Sequence, residues 1–561
     1  MDTQLKLSMA VPISTPSDVN CSRAERQRRM AARRRRKTQR FLAALLALAI
    51  CIGVLLANVI QAPGKVAAKI SAGETALPLS LPAQAPDIKE APLAAIAAAG
   101  SVEAAALSNK APEILSNQSP AVAASPNAPI LYYAQSGDSL DVLALRFGVS
   151  VSDISSTASL SEHGFISEGQ LLLIPARLEN TSDNLKLFPD AEVVNSPSAL
   201  DFDLDGFIAQ AGGKLANYQE SVYANGVMTG TEIIRRVARD YSIHPRLLLA
   251  LLEYESAWVY GTPTTQDGLY YPLGLHESGQ TGLYKQLVSA AGKLGTGYYG
   301  WREGTLLGLT FPDGSSLRLA PELNCATVAW MYFFAQTRNQ DAWREALYSD
   351  RSLLNTYESM FGNPWLTAQQ YSSLFTPGME QPELDLPFEN GIVWSYTSGP
   401  HAAWGAVDVR AALDFAPPAD APGCLPNSTW ITAASAGFVV RSDNGTVVVD
   451  MDGDGNEETG WNIVYLHVGT THRVKLGTWV EKGERIGHPS CEGGISTGTH
   501  LHLARKYNGE WIPADGPLAF KLSGWTAKAA SVPYQGWLIN GDEIVKSNRF
   551  SSTPAHISRG D

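Results

Sequence analysis

Phe41 to Ile60 reads FLAALLALAICIGVLLANVI, twenty consecutive residues without a charge. A helix of that length rises about 30 Å, the thickness of a bilayer's hydrocarbon core. An arginine-rich run ends directly before it: residues 1–40 hold eleven basic and three acidic side chains, net +8. Lys and Arg beside a span stay on the cytoplasmic side. The expectation is a basic cytoplasmic segment (1–40), a single transmembrane helix (41–60) and an outward-facing remainder. The apolar run exceeds the roughly 7–15 residues of a cleavable signal, so the anchor is expected to be uncleaved. The whole chain is net −12, which leaves −20 for everything after residue 40 and excludes a uniformly basic nucleic-acid binder. At about 150 residues per domain, 561 residues predict three or four units.

Residues 61–128 are rich in Ala, Pro and Ser with few aromatics. Such a segment cannot bury enough surface to offset its ordering entropy, and is read as a linker. Order is expected from Ile130. The features are Gly137-Asp138-Ser139-Leu140, the helical phase of Leu143 and Phe147, Gly148-Val149-Ser150, and the closing Gly169…Leu173-Ile174-Pro175. Over 129–178 they resemble a LysM module: strand, helix from near Ser139, second helix after Ser150, return strand. The resemblance implies binding to N-acetylglucosamine-containing glycan, although Ile154-Ser155-Ser156-Thr157 lacks the family's central asparagine. Residues 179–215 are read as a second linker.

Residues 216–380 are expected to be mainly helical. His244-Pro245 opens a helix with Pro at its first position, followed by RLLLALLEYES. Leu247, Leu248, Leu251 and Leu252 form an apolar stripe with Glu255 at its centre, while Glu253 points away. Desolvation and the helix C-terminus both favour a protonated Glu255, as a general acid requires. The Glu-Ser pair, with Gly282-Leu283-Tyr284-Lys285-Gln286, resembles lysozyme-like lytic transglycosylases. The competing structural reading pairs Glu255 with a buried arginine such as Arg235 or Arg236.

Residues 386–520 show short strands separated by Gly, Asn and Asp turns, an all-β pattern. Four of the ten histidines and one aspartate carry the chemistry: His401 in SGPHAAWG, Asp414 in ALDFA, His467 in VYLHV, and His500 with His502 in GTHLHLA. A strand's period of two puts His500 and His502 on one face. Neutral imidazole and carboxylate are zinc ligands, and a catalytic zinc takes three plus a water. Together these segments resemble the lysostaphin-like zinc endopeptidases that cut peptidoglycan cross-links. The resemblance implies Zn2+ held by His401, Asp414 and His502, with His500 taking a proton from the attacking water and His467 donating to the oxyanion. Thirteen positions separate His401 from Asp414 where the family commonly has four; the insertion AAWGAVDVRAAL accounts for this, and Asp408 is the fallback ligand.

Two lesser signals remain. Cys424 and Cys491, the cysteines of this domain, are expected to pair in an oxidising compartment; Cys325 is left single and Cys51 falls in the span. Asp450, Asp452 and Asp454 open a loop like an EF-hand's, but position twelve is Trp461 instead of Glu. A plain hairpin turn is the first reading and weak Ca2+ binding the second. The other histidines, His163, His244, His276, His472, His488 and His556, carry no special expectation. Residues 521–561 are read as a C-terminal tail whose aromatics pack on a neighbour.

The fold class is therefore multidomain: a transmembrane helix, an α+β LysM module, a mainly α lysozyme-like domain and an all-β zinc peptidase domain. The function expected is a membrane-anchored hydrolase of peptidoglycan peptide bonds, with peptidoglycan and membrane as partners and no nucleic acid. The alternatives are a non-catalytic wall-binding regulator and a transglycosylase acting through the middle domain.

Overall fold

The structure is a computed structural model describing residues 129–560 except 161–163, 224 and 406, and without the side chain of Asp408. The basic segment, span and linker expected before residue 129, and His163, lie outside the described residues. Among the described residues no helix is long and apolar enough to cross a membrane.

In the first module, Pro129–Tyr133 and Leu171–Pro175 pair antiparallel and the helix Leu140–Phe147 buries Leu143 and Phe147 beneath them. The second helix expected after Ser150 is instead one 3-10 turn, Val151–Asp153, closed by a Ser150–Asp153 capping box. Beyond it Ser155 and Ser156 pair with Leu173 and Leu172, so the chain commits to the sheet before a helix can propagate. This module is clamped to the next domain. The buried Arg146 donates to Asp138 Oδ1 at 2.9 Å and to Trp301 O at 2.8 Å, and lies 4.7 Å from the Trp301 ring centroid. Arg318 returns the contact, donating to Leu145 O and Arg146 O at 3.1 and 2.8 Å, where the last turn of a helix leaves carbonyls without partners.

Residues 179–215 are not a linker. Leu187, Phe188, Val193, Val194, Leu204 and Ile208 are buried in the helical core, and Asp203 caps a helix at Leu204–Ala211. Their apolar residues sit in 3-10 turns and one short helix, too brief to show a helical period. The helix Gly230–Tyr241 starts with a Thr229–Glu232 capping box, and Pro245–Ser256 starts with His244 accepting from Arg246 N at 3.1 Å. Every residue from Leu247 to Leu252 is buried, so this helix crosses the core rather than presenting a stripe.

His244 is wholly buried, and burial pushes its imidazole down to about 4. Above about pH 6.5 it is neutral in both folded and unfolded chains. As pH falls toward 4 only the unfolded chain gains the proton, so stability falls through that window. His244→Gln is expected to flatten the acid side of the stability curve by on the order of 2–3 kcal/mol between pH 6.5 and 4. Urea unfolding at several pH values reads it; curves that stay parallel would refute it.

The C-terminal domain is built on a nine-stranded antiparallel sheet. Its central strands run Gly437–Asp443, Thr446–Asp450, Trp461–Leu466, Leu501–Tyr507, Val407–Ala416 and Val393–Trp404. One face, with Phe415, Ile463 and Leu503, packs on Phe388 and Trp394; the other, with Val407, Ala412, Val464 and Ala504, joins the core of the helical domain. Covered on both sides, strands such as TVVVD and WNIVYL are buried throughout and lose the alternation of a half-exposed sheet. The helix Leu283–Arg302 lies against the Val407–Ala416 strand at Gly295, where a Cβ would come within 3.0 Å of Val407. Residues 521–560 are not a tail. Lys521–Leu522, Trp525–Ala529, Gly536–Asn540 and Glu543–Lys546 form a four-stranded sheet, and His556–Ser558 adds to the edge strand Val393–Trp404.

Candidate metal centre

Register does the first work. His502 lies directly across from Asp414 on the neighbouring strand, and His401 lies across from Ala412 on the next. Leu501 and Leu503 point into one core while His502 and Ala504 face the other way, so His502 and Asp414 share a face. The thirteen-residue separation is the hairpin itself: strand 393–404 pairs antiparallel with strand 407–416, with register shifts around His401. No inserted loop is needed.

His401 Nε2, His502 Nδ1 and Asp414 Oδ1 stand 3.1 to 3.2 Å from one another. The carbonyls around them fix the tautomers. His401 Nδ1 donates to Gly399 O at 2.9 Å and His502 Nε2 to Ala403 O at 3.0 Å, which leaves the two inward nitrogens without protons. Asp414 Oδ1 is buried and has no hydrogen-bond donor. Three lone pairs thus face one point, and only a cation relieves them. Ligands bound at about 2.0–2.1 Å in a tetrahedron lie about 3.3 Å apart, so the residues present fit zinc.

His467 and His500 border this cluster, with ring centroids 4.4 Å apart. His500 Nδ1 donates to Gly498 O at 2.8 Å, and its Nε2 stands 3.7 Å from Asp414 Oδ1. His467 Nδ1 donates to Glu492 O at 2.7 Å. Burial, then the neighbouring His500 and His502, bring the His467 imidazole down to about 3, so it is neutral at pH 7. Both rings therefore offer Nε2 as an acceptor. The donating role expected of His467 does not fit this tautomer and requires the proton on Nε2 instead. The expected disulfide is present between Cys424 and Cys491, and holds the segment carrying Ser496, whose hydroxyl lies 3.3 Å from His500 Nδ1.

One site residue escaped sequence reasoning. Tyr534, in the presumed tail, stacks on His401 with ring centroids 4.6 Å apart and planes at 24°. Gly399 permits this: Gly399 N donates to Tyr534 O at 2.8 Å, and a Cβ there would meet Gln535 C at 2.4 Å. A glycine two positions before His401 was the available signal. Gly399→Ala is expected to push the 532–536 turn off His401 and weaken zinc affinity about tenfold, the effect of disturbing a metal ligand's support. Competition with a chromophoric chelator measures it; unaltered affinity would count against the buttress.

Elsewhere the expectations fare differently. Glu255 is engaged by Arg338, which donates to its Oε1 at 2.6 Å; the partner is neither Arg235 nor Arg236. Burial raises the Glu255 carboxyl against the pull of Arg338. Gln286, of the lysozyme-like turn, is buried and spends its amide on Leu273 N, Leu275 N and O, and Gln280 O, a structural role. Asp450, Asp452 and Asp454 come within 4.8 Å of one another. Their oxygens accept from the loop's own groups, including Asp452 N, Gly455 N and Thr459 Oγ1, as in a plain turn. Calcium has no support beyond the acidic cluster itself.

Residues 415–513 match peptidase family M23, and residues 132–175 match the LysM domain. The chain carries a family M23 metallopeptidase domain. Residues 186–374 match the N-terminal domain of LasA, which stands where a lysozyme-like domain was expected. Protease LasA of Pseudomonas aeruginosa is 25% identical over 368 residues, 62% of this chain and 78% of that one. Beta-lytic metalloendopeptidase of Lysobacter enzymogenes is 25% identical over 153 residues, 27% of this chain and 82% of that one. Among solved structures, the deep-sea M23 metalloprotease pseudoalterin is 20% identical with a TM-score of 0.26, covering 32% of this chain and 99% of its own. The lysostaphin catalytic domain of Staphylococcus simulans is 22% identical with a TM-score of 0.17, covering 23% and 89%.

Proposed function

We propose that this chain hydrolyses peptide bonds in peptidoglycan cross-links with a zinc ion held by His401, Asp414 and His502. The observation that carries the reading is the convergence of three unprotonated ligand atoms within 3.2 Å. The names of the relatives, a protease and a metalloendopeptidase, support peptide-bond cleavage, and the LysM match supports a glycan-bearing substrate. Zinc bound there would supply Lewis acidity, lowering the pKa of a bound water to about 7.

The chain's own groups do the rest. His500 Nε2, oriented by the Nδ1 bond to Gly498 O, accepts the proton of the attacking water and returns it to the leaving amine. His467 can donate toward the oxyanion only as the tautomer with its proton on Nε2, which gives up the Nδ1 bond to Glu492 O. In this reading Phe41–Ile60 holds the domains outside the cytoplasmic membrane; the support is the uncharged span and the arginines before it. Incubating the protein with purified wall is expected to release new free amines, to stop with chelator and to resume with added zinc. Anhydro-sugars would favour the transglycosylase reading instead, and intact wall a non-catalytic regulator. Extraction of the protein from membranes by salt alone would remove the anchor.

A further inference from the structure

Both imidazoles beside the candidate metal centre lean on one loop. Residues 491–499 leave and rejoin the sheet at a Ser490–His500 bridge. His467 Nδ1 donates to Glu492 O near the start of this loop, and His500 Nδ1 to Gly498 O near its end. The two ends are anchored differently. At the first, Ser490 N and Oγ donate to His467 O at 2.7 and 2.9 Å. Thr470 N and Oγ1 donate to the Glu492 carboxylate at 2.8 and 2.6 Å. These bonds tie Glu492 to the segment that carries His467 itself.

At the second end the support comes from elsewhere in the chain. Residues 417–430 join two strands as a strap with neither helix nor strand of its own. From this strap Gly423 O and Leu425 O accept from Thr499 N and Oγ1 at 3.0 and 2.6 Å. A Cβ on Gly498 would lie 3.6 Å from Gly423 O, so strap and loop touch. Among the described residues, the hydrogen bonds that leave 419–426 go to Thr499. The strap is fixed to the loop there and at the Cys424–Cys491 disulfide. Ser496, which donates to Gly498 O at 2.7 Å, stands 3.3 Å from Cys491 Sγ. Water can replace the hydrogen bonds of an exposed strap; the covalent tie is what denies it other conformations.

We propose that the Cys424–Cys491 disulfide positions His500. It keeps the strap on Thr499, which holds Gly498 O where that carbonyl accepts from Nδ1 and aims Nε2 at the metal centre. Cys424 and Cys491 are positioning residues, and hydrolysis runs at full rate only with the bond between them formed. A compartment that keeps thiols reduced holds the chain at its slow rate. The inference rests on the peptidase reading for that rate, and on the loop alone for the placement of His500.

Cys424 is exposed, so a water-soluble phosphine can reach the bond. The phosphine gives two electrons to the S–S bond and takes an oxygen from water, leaving two thiols and a phosphine oxide. The zinc-loaded full chain is assayed before and after, with thiols counted by mass. On a cross-link peptide kcat is expected to fall about 10²-fold, the cost of misplacing a group by about 1 Å. KM and bound zinc should stay unchanged, because His401, Asp414 and His502 lie on strands, and reoxidation should restore kcat. Diethyl pyrocarbonate labelling reads the rings without activity: His500 should react faster after reduction, while His467, held through Ser490 and Thr470, should not. The Cys424→Ser, Cys491→Ser double variant should show the slow rate and no response to phosphine. Full kcat in the reduced chain, zinc lost together with activity, or the same labelling response at both histidines overturns the proposal. An oxidised parent that cuts no peptide, with labelling shifted at His500 alone, counts against the peptidase reading and leaves the placement of His500 standing.

Discussion

Replacing His502 by alanine is expected to empty the metal site and lower peptide hydrolysis by at least about 10³-fold, as when one member of a cooperating catalytic set is lost. His502 Nδ1 is one of three atoms that together relieve each other's unpaired charge only through a shared cation. Removing it leaves His401 and Asp414, two ligands where a catalytic zinc takes three. Elemental analysis of the purified variant and amine release from wall read the two effects separately. A variant that keeps one equivalent of zinc and full activity would falsify the ligand assignment. His500→Ala provides the contrast: its ring borders the cluster without belonging to it, so zinc should be retained while hydrolysis falls by about 10²–10⁴-fold.

The second large effect concerns stability. Arg441→Met is expected to destabilise the folded chain by about 3–5 kcal/mol, as when one partner of a buried ion pair is removed. Arg441 is 2% exposed and sits between two domains. It donates to Asp240 Oδ1 of the Gly230–Tyr241 helix at 2.7 Å and to Glu457 Oε1 at 2.7 Å. Lys506 would still reach Glu457 at 3.1 Å and Arg236 would still reach Asp240 at 3.0 Å, so part of the charge stays compensated. Chemical denaturation measures the loss. A change below about 1 kcal/mol would mean that the seam between the helical domain and the sheet opens to water. A double change, Arg441→Met with Asp240→Leu, should recover part of it, because replacing a buried pair by packed apolar groups is often neutral.

The chemistry-bearing residues were legible because each ligand type announces itself at short range. GTHLHLA places two imidazoles on one stretch, and LDFA and VYLHV stand in strand-like contexts that tolerate few histidines or acids without a reason. The lysozyme-like reading of the middle domain, which the family match to the LasA N-terminal domain does not show, rested on a weaker signal. A carboxylate after an apolar helix is common, and Glu255 is engaged by Arg338, 83 residues away, which no local pattern reveals. The linker at 179–215 and the tail at 521–561 misled for a related reason. Short 3-10 turns and two- to five-residue strands have no period to detect, yet they carry Phe188 into a core and Tyr534 onto His401.

By itself the chain's order of residues determined the candidate donor set, the disulfide partners and the β character of the C-terminal part, since these follow from side-chain chemistry and nearest-neighbour periodicity. Only the tertiary structure decided that His401 meets Asp414 by a hairpin rather than around an inserted loop, that the imidazoles of His467 and His500 both present acceptors, and that the LysM module is bolted to the body. Those outcomes depend on strand register and on carbonyls such as Gly399, Ala403 and Glu492, whose positions are set by distant pairings instead of by neighbours in sequence.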